Sequence, residues 1–164
     1  MTVTARLHCA FIDALGLPMP ARVGSKPLDL MLSAPLPSHL RVYLYSLVAG
    51  GKSRSNELKA VLRVPGQQRG AYGAFDDSDG YLVLLAGYSE NLDVFVLWDS
   101  LLHPRFKNGG NVQVREDVVI DAASSGWVEQ RRRLKSGVTE VIFACRSDYL
   151  HRGLQARVVW SGGE

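Results

Sequence analysis

The chain of 164 residues is poor in the residues that most often carry chemistry: two cysteines, four histidines and three methionines. It also has no long apolar run, and a membrane-spanning helix needs about 20 such residues in succession, so no membrane contact is expected. Cys9 and Cys145 lie far apart inside apolar stretches, and neither has a partner at metal-ligand spacing. Buried thiols fit both better than a disulfide or a zinc site. The opening residues "MTVTARLHCAF" lack the basic start, apolar centre and small-residue cleavage site of a secretory signal, which predicts a cytoplasmic protein. His8, His39, His103 and His151 form no HxxxH or His-x-Glu pair, and no serine sits in a Gly-x-Ser-x-Gly elbow. No glycine-rich phosphate cradle follows a strand. Acyl transfer and zinc hydrolysis lack their parts, and no cofactor or metal is expected. "DDSDG" has a calcium-loop look, but with Gly80 at the sixth position the first ligand would be Phe75 and the twelfth Ala86, so it reads as a polar turn.

What is present reads as one folded domain. The apolar fraction of 46% is ordinary for a globular chain, and the charged fraction of 21% is too low and too mixed for disorder. "VTARLHCAFIDAL" places Val3, Leu7, Phe11 and Leu15 on one helical face, with Gly16 and Pro18 ending the helix. A second helix is predicted over "GSKPLDLMLSAP", with Ser25 as its cap, Pro27 in its first turn, and Leu28, Met31 and Leu32 facing inward. The pattern then turns to alternation. In "LRVYLYSLV", Val42 and Leu44 oppose Arg41, Tyr43 and Tyr45; in "ELKAVLRV", Leu58, Ala60, Leu62 and Val64 oppose Lys59, Val61 and Arg63. The glycine-rich loop "AGGKSRSN" between them predicts an antiparallel pair. "YLVLLAGY" and "DVFVLWD" are apolar throughout, as central strands covered on both faces are. "NVQV" predicts a short strand, "EDVVIDAASSGWVEQRRRL" one long helix, and "VTEVIFAC" a last strand. "SDYLHRGLQARV" predicts a last helix with Ser147 as its cap. With no repeat, linker or low-complexity tract, the expectation is a single α/β (α+β) domain over residues 1–164, with a mixed, largely antiparallel sheet flanked by helices.

The net charge is only +3, but it is unevenly placed. Lys52 and Arg54 lie in "GGKSRSN"; Gln67, Gln68 and Arg69 in "PGQQRGAYG"; His103, Arg105 and Lys107 in "LLHPRFKNGG"; Arg131, Arg132, Arg133 and Lys135 on the predicted long helix. Acids are nearly absent from these four places. Any one cluster alone reads better as a solvated face. Together, interleaved with glycine, asparagine and glutamine, they point to a nucleic acid, because glycine admits a phosphate close to the backbone and amides pair with base edges. A second possibility stays open. Glu57-Leu58-Lys59 matches half of the acid and acid-x-lysine pattern of metal-dependent nucleases; the upstream acid would have to be Asp29, on a predicted helix rather than a neighbouring strand. A general reader of modified DNA is a third.

Four stretches carry a resemblance. "ELKAVLRVPGQQRGAYGAFD", "LLAGYSENLDVFVLWDSLLH", "NVQVRED" and "VEQRRRLKSGVTEVIFACR" resemble the sulfur-binding domain of McrA-type, type IV restriction endonucleases, over roughly Leu40 to Arg157. The resemblance implies a non-catalytic domain that reads double-stranded DNA with a phosphorothioate backbone, in which sulfur replaces a non-bridging phosphate oxygen. The HNH nuclease module would lie outside this chain. The resemblance places the sulfur pocket in the loop before "NVQV", here Pro104, Phe106, Lys107, Gly109 and Gly110, with the Lys107 stem as wall and its ammonium on a phosphate. It implies that Arg132 closes the site from the other side and that Lys59 and Arg69 hold phosphates. Gln68 or Asn111 would meet a base edge or the backbone, and Arg54, His103 and Arg105 complete the basic rim. Paired DNA sites would suit a homodimer of the full-length protein. Sulfur is a poorer hydrogen-bond acceptor than oxygen and loses less on leaving water. An oxygen left unpaired in an apolar hollow costs about 1–3 kcal/mol, roughly a factor of 5 to 150 in affinity.

Overall fold

The structure, a computed structural model, describes residues 1–162. The Thr2 side chain accepts a hydrogen bond from the Ala5 amide and starts α1 (Val3–Ala14). Leu7, Phe11 and Leu15 are buried as the spacing predicted, Val3 is exposed, and His8 and Ile12 join the buried side. The next element corrects a prediction. Leu28–Met31 is a strand, β1, not a helix: Leu28 and Leu30 are buried while Asp29 and Met31 are exposed. That alternation and the helical spacing of Leu28, Met31 and Leu32 share too few residues to be told apart in sequence.

β1 pairs antiparallel with β2 (His39–Ser46) at the edge of a six-stranded sheet. The sheet continues through β6 (Leu82–Ser89), β7 (Val94–Trp98), β11 (Thr139–Arg146) and β10 (Trp127–Arg133), in the order β1-β2-β6-β7-β11-β10. β2 and β6 run parallel and the other neighbours antiparallel. β6, β7 and β11 stand in the middle, as apolar strands buried on both faces should. β2 is buried on both faces too, because Tyr43 and Tyr45 are as well covered as Val42 and Leu44.

A second sheet holds β3 (Val48–Ala49), β4 (Glu57–Val61) and β9 (Asn111–Arg115). The "AGGKSRSN" loop therefore joins β3 to β4, with Val48 opposite Lys59, and not β2 to β4 as predicted. A separate two-stranded sheet pairs β5 (Tyr72–Gly73) antiparallel with β8 (Phe106–Lys107).

The predicted long helix is a helix followed by a strand. α2 (Glu116–Ser125) ends at Gly126, whose φ of 93° is left-handed, and the chain reverses into β10. In the strand, Gln130 is buried and Arg132 partly covered while Glu129, Arg131 and Arg133 are exposed, so the arginine run is split between opposite faces. α3 (Leu150–Val159) ends the fold. Ser147 does not cap it; its hydroxyl donates to the Asp93 carboxylate.

The large sheet has a core on each side. One side packs against α1 and α3 through Phe11, Ile12, Phe95, Phe143 and Leu154. The other packs against the small sheet and α2 through Tyr45, Leu62, Trp98, Val114 and Val119. Cys145 is buried, and burial pushes its thiol up to about 12, while Cys9 is only partly covered.

Gly126 is the hinge between α2 and β10. A Cβ there would lie 2.3 Å from the Tyr149 ring. Gly126→Ala is expected to destabilise the domain by about 1–3 kcal/mol, seen as a lower urea midpoint with unchanged slope. An unchanged midpoint would contradict the left-handed cap.

Candidate nucleic-acid interface

Alternation along β4 and β9 builds one face of the small sheet. Ala60, Leu62, Val112 and Val114 are buried. Since successive side chains point to opposite faces, Glu57, Lys59, Val61 and Arg63 must line the outer face of one strand, and Asn111, Gln113 and Arg115 that of the other. Lys59 stands opposite Gln113, Val61 opposite Asn111, and Glu57 opposite Arg115. Beyond β4 the ladder continues: the Leu62 amide donates to the Gly110 carbonyl at 2.7 Å and the Gly109 amide to the Leu62 carbonyl at 2.9 Å. Gly109 and Gly110 thus serve strand pairing, and Gly109 takes a φ of 85° to do so.

Gln113 ties two arginines to this face. Its Oε1 accepts from Arg54 Nη1 at 2.9 Å and from Arg132 Nη2 at 2.5 Å. The same arginines flank Glu57, at 3.4 Å and 3.6 Å. One carboxylate is shared by two guanidiniums, so the patch stays positive. Arg115 pairs with Asp117 at 3.1 Å in an exposed contact of small energetic weight. Arg63 Nε donates to Asn108 Oδ1, and Asn108 Nδ2 donates to the Gln67 carbonyl, which joins the face to the neighbouring loops.

The expected members come together only in part. Lys59, Asn111, Arg54 and Arg132 belong to this face, Arg132 reaching it from β10 rather than from a helix. Arg69 and Gln68 are exposed on the turn after Val64. Arg105 lies over the Tyr72 ring at 3.8 Å, with the Lys107 ammonium 5.6 Å from the same ring. His103 is held inward: its Nε2 is 2.9 Å from Glu140 Oε2, a buried carboxylate that also accepts the Asp99 amide.

The expected sulfur-pocket residues are divided. Phe106 is 7% exposed and belongs to the core, its ring 4.7 Å from Phe75, which in turn lies 4.7 Å from Tyr43. It is a support under the surface rather than an open wall. A hollow of about 270 Å³ does lie at the start of the loop, lined by Ala74, Phe75, Asp77, Val83, Ser100, Leu101 and Pro104. Lys107, Gly109 and Gly110 do not line it. The acids of the nuclease alternative are also apart: Asp29 pairs with Arg41 in the large sheet, while Glu57 sits between its arginines in the small one. Among the described residues no group of three or more His, Cys, Asp or Glu could hold a metal ion.

The profile of the methylase-associated X1 family matches residues 38–154, most of the chain. The chain belongs to the methylase-associated X1 family. This makes it a restriction–modification-associated domain. No curated protein and no solved structure matches it. The methylase-associated X1 segment runs from just before β2 into α3 and so contains the whole basic face, but neither α1 nor β1.

Sequence reasoning missed Arg63, Gln113 and Arg115 as members of the face, although the alternation that turned Lys59 outward applies to them. It also missed Gln67, whose side chain accepts from the Val64 amide and donates to the carbonyls of Ala71 and Phe106, each at 3.1 Å. Nothing in "PGQQRG" separates Gln67 from its exposed neighbour Gln68. Gln67→Ala removes all three bonds and is expected to cost about 1–3 kcal/mol, with faster hydrogen exchange at the Val64 amide. Equal protection in both proteins would show that the loop is held otherwise.

Proposed function

We propose that this methylase-associated X1 domain binds double-stranded DNA without cutting it, as a recognition part of a restriction–modification system. The grip is on the sugar–phosphate backbone, along the outer face of β4 and β9. The observation that supports this most is the collection on one face of Lys59, Arg63 and Arg115 with Arg54 and Arg132, against two carboxylates: Glu57, already shared by two arginines, and the exposed Asp117 beside Arg115. Cations so placed gain affinity by releasing counterions from DNA. Asn111 and Gln113, spaced among them, offer amide groups to sugar or base edges, where sequence is read. Glu57 acts here as a spacer that holds two guanidiniums, not as a metal ligand.

Lys59→Ala and Arg63→Ala are each expected to weaken duplex binding and to shallow the plot of log affinity against log salt by about one unit. Glu57→Gln should leave binding intact or strengthen it, because it removes the negative charge from a phosphate-facing patch. Plasmid DNA should stay whole with magnesium or manganese. Cleavage lost on Glu57→Gln would replace this reading with the nuclease one.

A finer specificity, for a phosphorothioate backbone, is favoured by the hollow at Pro104. Phe75, Val83, Leu101 and Pro104 give it carbon walls, and Arg105 follows directly in the chain. Asp77 on the same lining opposes either backbone, since both carry one negative charge; the carbon walls make the difference, because the less hydrated sulfur loses less than oxygen on entering. Duplexes that differ by one atom, sulfur or oxygen, should differ in affinity by roughly 5- to 150-fold, for one diastereomer only. Leu101→Ser, at an exposed position, should shrink that ratio without changing the salt slope. Equal affinity for sulfur and oxygen would end the sulfur reading and leave the basic face standing.

A further inference from the structure

Lys26 lies ahead of β1, outside the residues matched to the family. Its ammonium stands 4.0 Å from the centre of the Tyr45 ring. Tyr45 donates its hydroxyl to the Arg63 carbonyl at 2.8 Å, so the tyrosine places Lys26 at the Arg63 end of the basic face. Among the described residues the ammonium has no hydrogen bond or ion pair with a protein acceptor. A ring face attracts the charge but leaves all three N–H donors unused. Burial and then the Arg63 guanidinium both hold the Lys26 pKa below its ordinary value.

A partly buried cation that faces a second cation needs an anion. The protein does not supply one. Lys26 opens onto a cavity of about 470 Å³ that Arg22, Asp29, Arg41 and Asp76 also line. Both acids there are committed to Arg41: Asp29 takes its Nε at 2.8 Å and its Nη2 at 3.1 Å, and Asp76 lies 3.3 Å from its Nη1. Asp76 also accepts from the Ser78 amide. Arg22 is exposed on the rim. The cavity thus holds two cations, Lys26 and Arg22, that its own carboxylates do not serve.

We propose that Lys26 and Arg22 form a phosphate-binding site at the Arg63 end of the basic face. In the DNA-binding reading, on which the choice of ligand rests, the group is a backbone phosphate, and the DNA path runs on from β4 to the amino-terminal segment. A free phosphate has the same chemistry, and the experiment separates the two sources.

The full chain is treated with an amine-acylating reagent and read lysine by lysine by mass spectrometry, alone, with inorganic phosphate, and with an oxygen-backbone duplex. Alone, Lys26 reacts readily, because a lowered pKa leaves more free amine. With duplex at about ten times its dissociation constant, Lys26 and Lys59 should both react roughly tenfold more slowly, and Lys135 as before. Protection of Lys59 without Lys26, with phosphate also ineffective, would overturn the site and keep the DNA face. Protection of Lys26 by phosphate, with no lysine protected by duplex, would keep the site for a free anion and remove the DNA face. An unreactive Lys26 in the free protein would overturn the proposal, since its ammonium would then not be open to a ligand. Lys26→Met should weaken duplex binding and shallow the salt slope by about one unit, while Lys26→Arg retains both. Equal loss in both variants would mark a packing contact on Tyr45 and nothing more.

Discussion

The small sheet is held to the large one by carbon. Ala60, Leu62, Val112 and Val114 share a core with Tyr43, Tyr45, Val96 and Trp98, and the Trp98 indole donates to the Gln113 carbonyl at 2.9 Å. Each buried valine or leucine side chain among them is worth about 1.5–3 kcal/mol. A slip of one residue in either strand would expose all of them, so the register is strongly fixed. What the core takes in at every second position it forces out at the others. Lys59, Arg63, Gln113 and Arg115 face solvent because their neighbours cannot. The basic face is a consequence of the packing beneath it.

That origin explains how such a face stays in shape. Surface cations on flexible stems lose freedom when they bind, and isolated surface ion pairs contribute little. Here Gln113 and Glu57 hold Arg54 and Arg132 from both sides, so two long side chains are ordered in advance. The cost is one negative charge within a positive patch. On the adjoining loops the same economy recurs: Gln67 and Asn108 tie the turn and the β8 segment to β4 through three backbone carbonyls and Arg63. Inward-facing polar groups serve the fold instead, as with His103, Glu140 and the Asp99 amide.

The sequence made some of this legible. Alternation placed Lys59 and Leu62 on opposite faces of β4, continuous apolar runs marked β6 and β7 as central, and the i, i+4 spacing of Leu7, Phe11 and Leu15 marked α1. The mixed, mostly antiparallel sheet with helices followed from those elements. Other features depend on contacts distant in sequence. Gly126 ends α2 only because Tyr149 leaves no room for a Cβ and the chain needs a positive φ there, so helix and strand ran together in the reading of "SSGWVEQRRRL". Phe106 sits in a polar loop and looks available, yet Phe75 and Tyr43 draw it into the core. Arg132 reaches the face through Gln113, a residue whose side chain had no signal of its own beyond its place in an alternating strand.

A titration of the isotope-labelled domain with a short duplex, followed through its backbone amide resonances, tests the central claim most directly. If the outer face of the small sheet carries the DNA, the resonances of Lys59, Arg63, Asn111, Gln113 and Arg115 move together with added duplex and return as salt is raised. Those of α1 and α3, on the far side of the large sheet, stay where they are. Shifts confined to the helical side, or none at all at low salt, would contradict it.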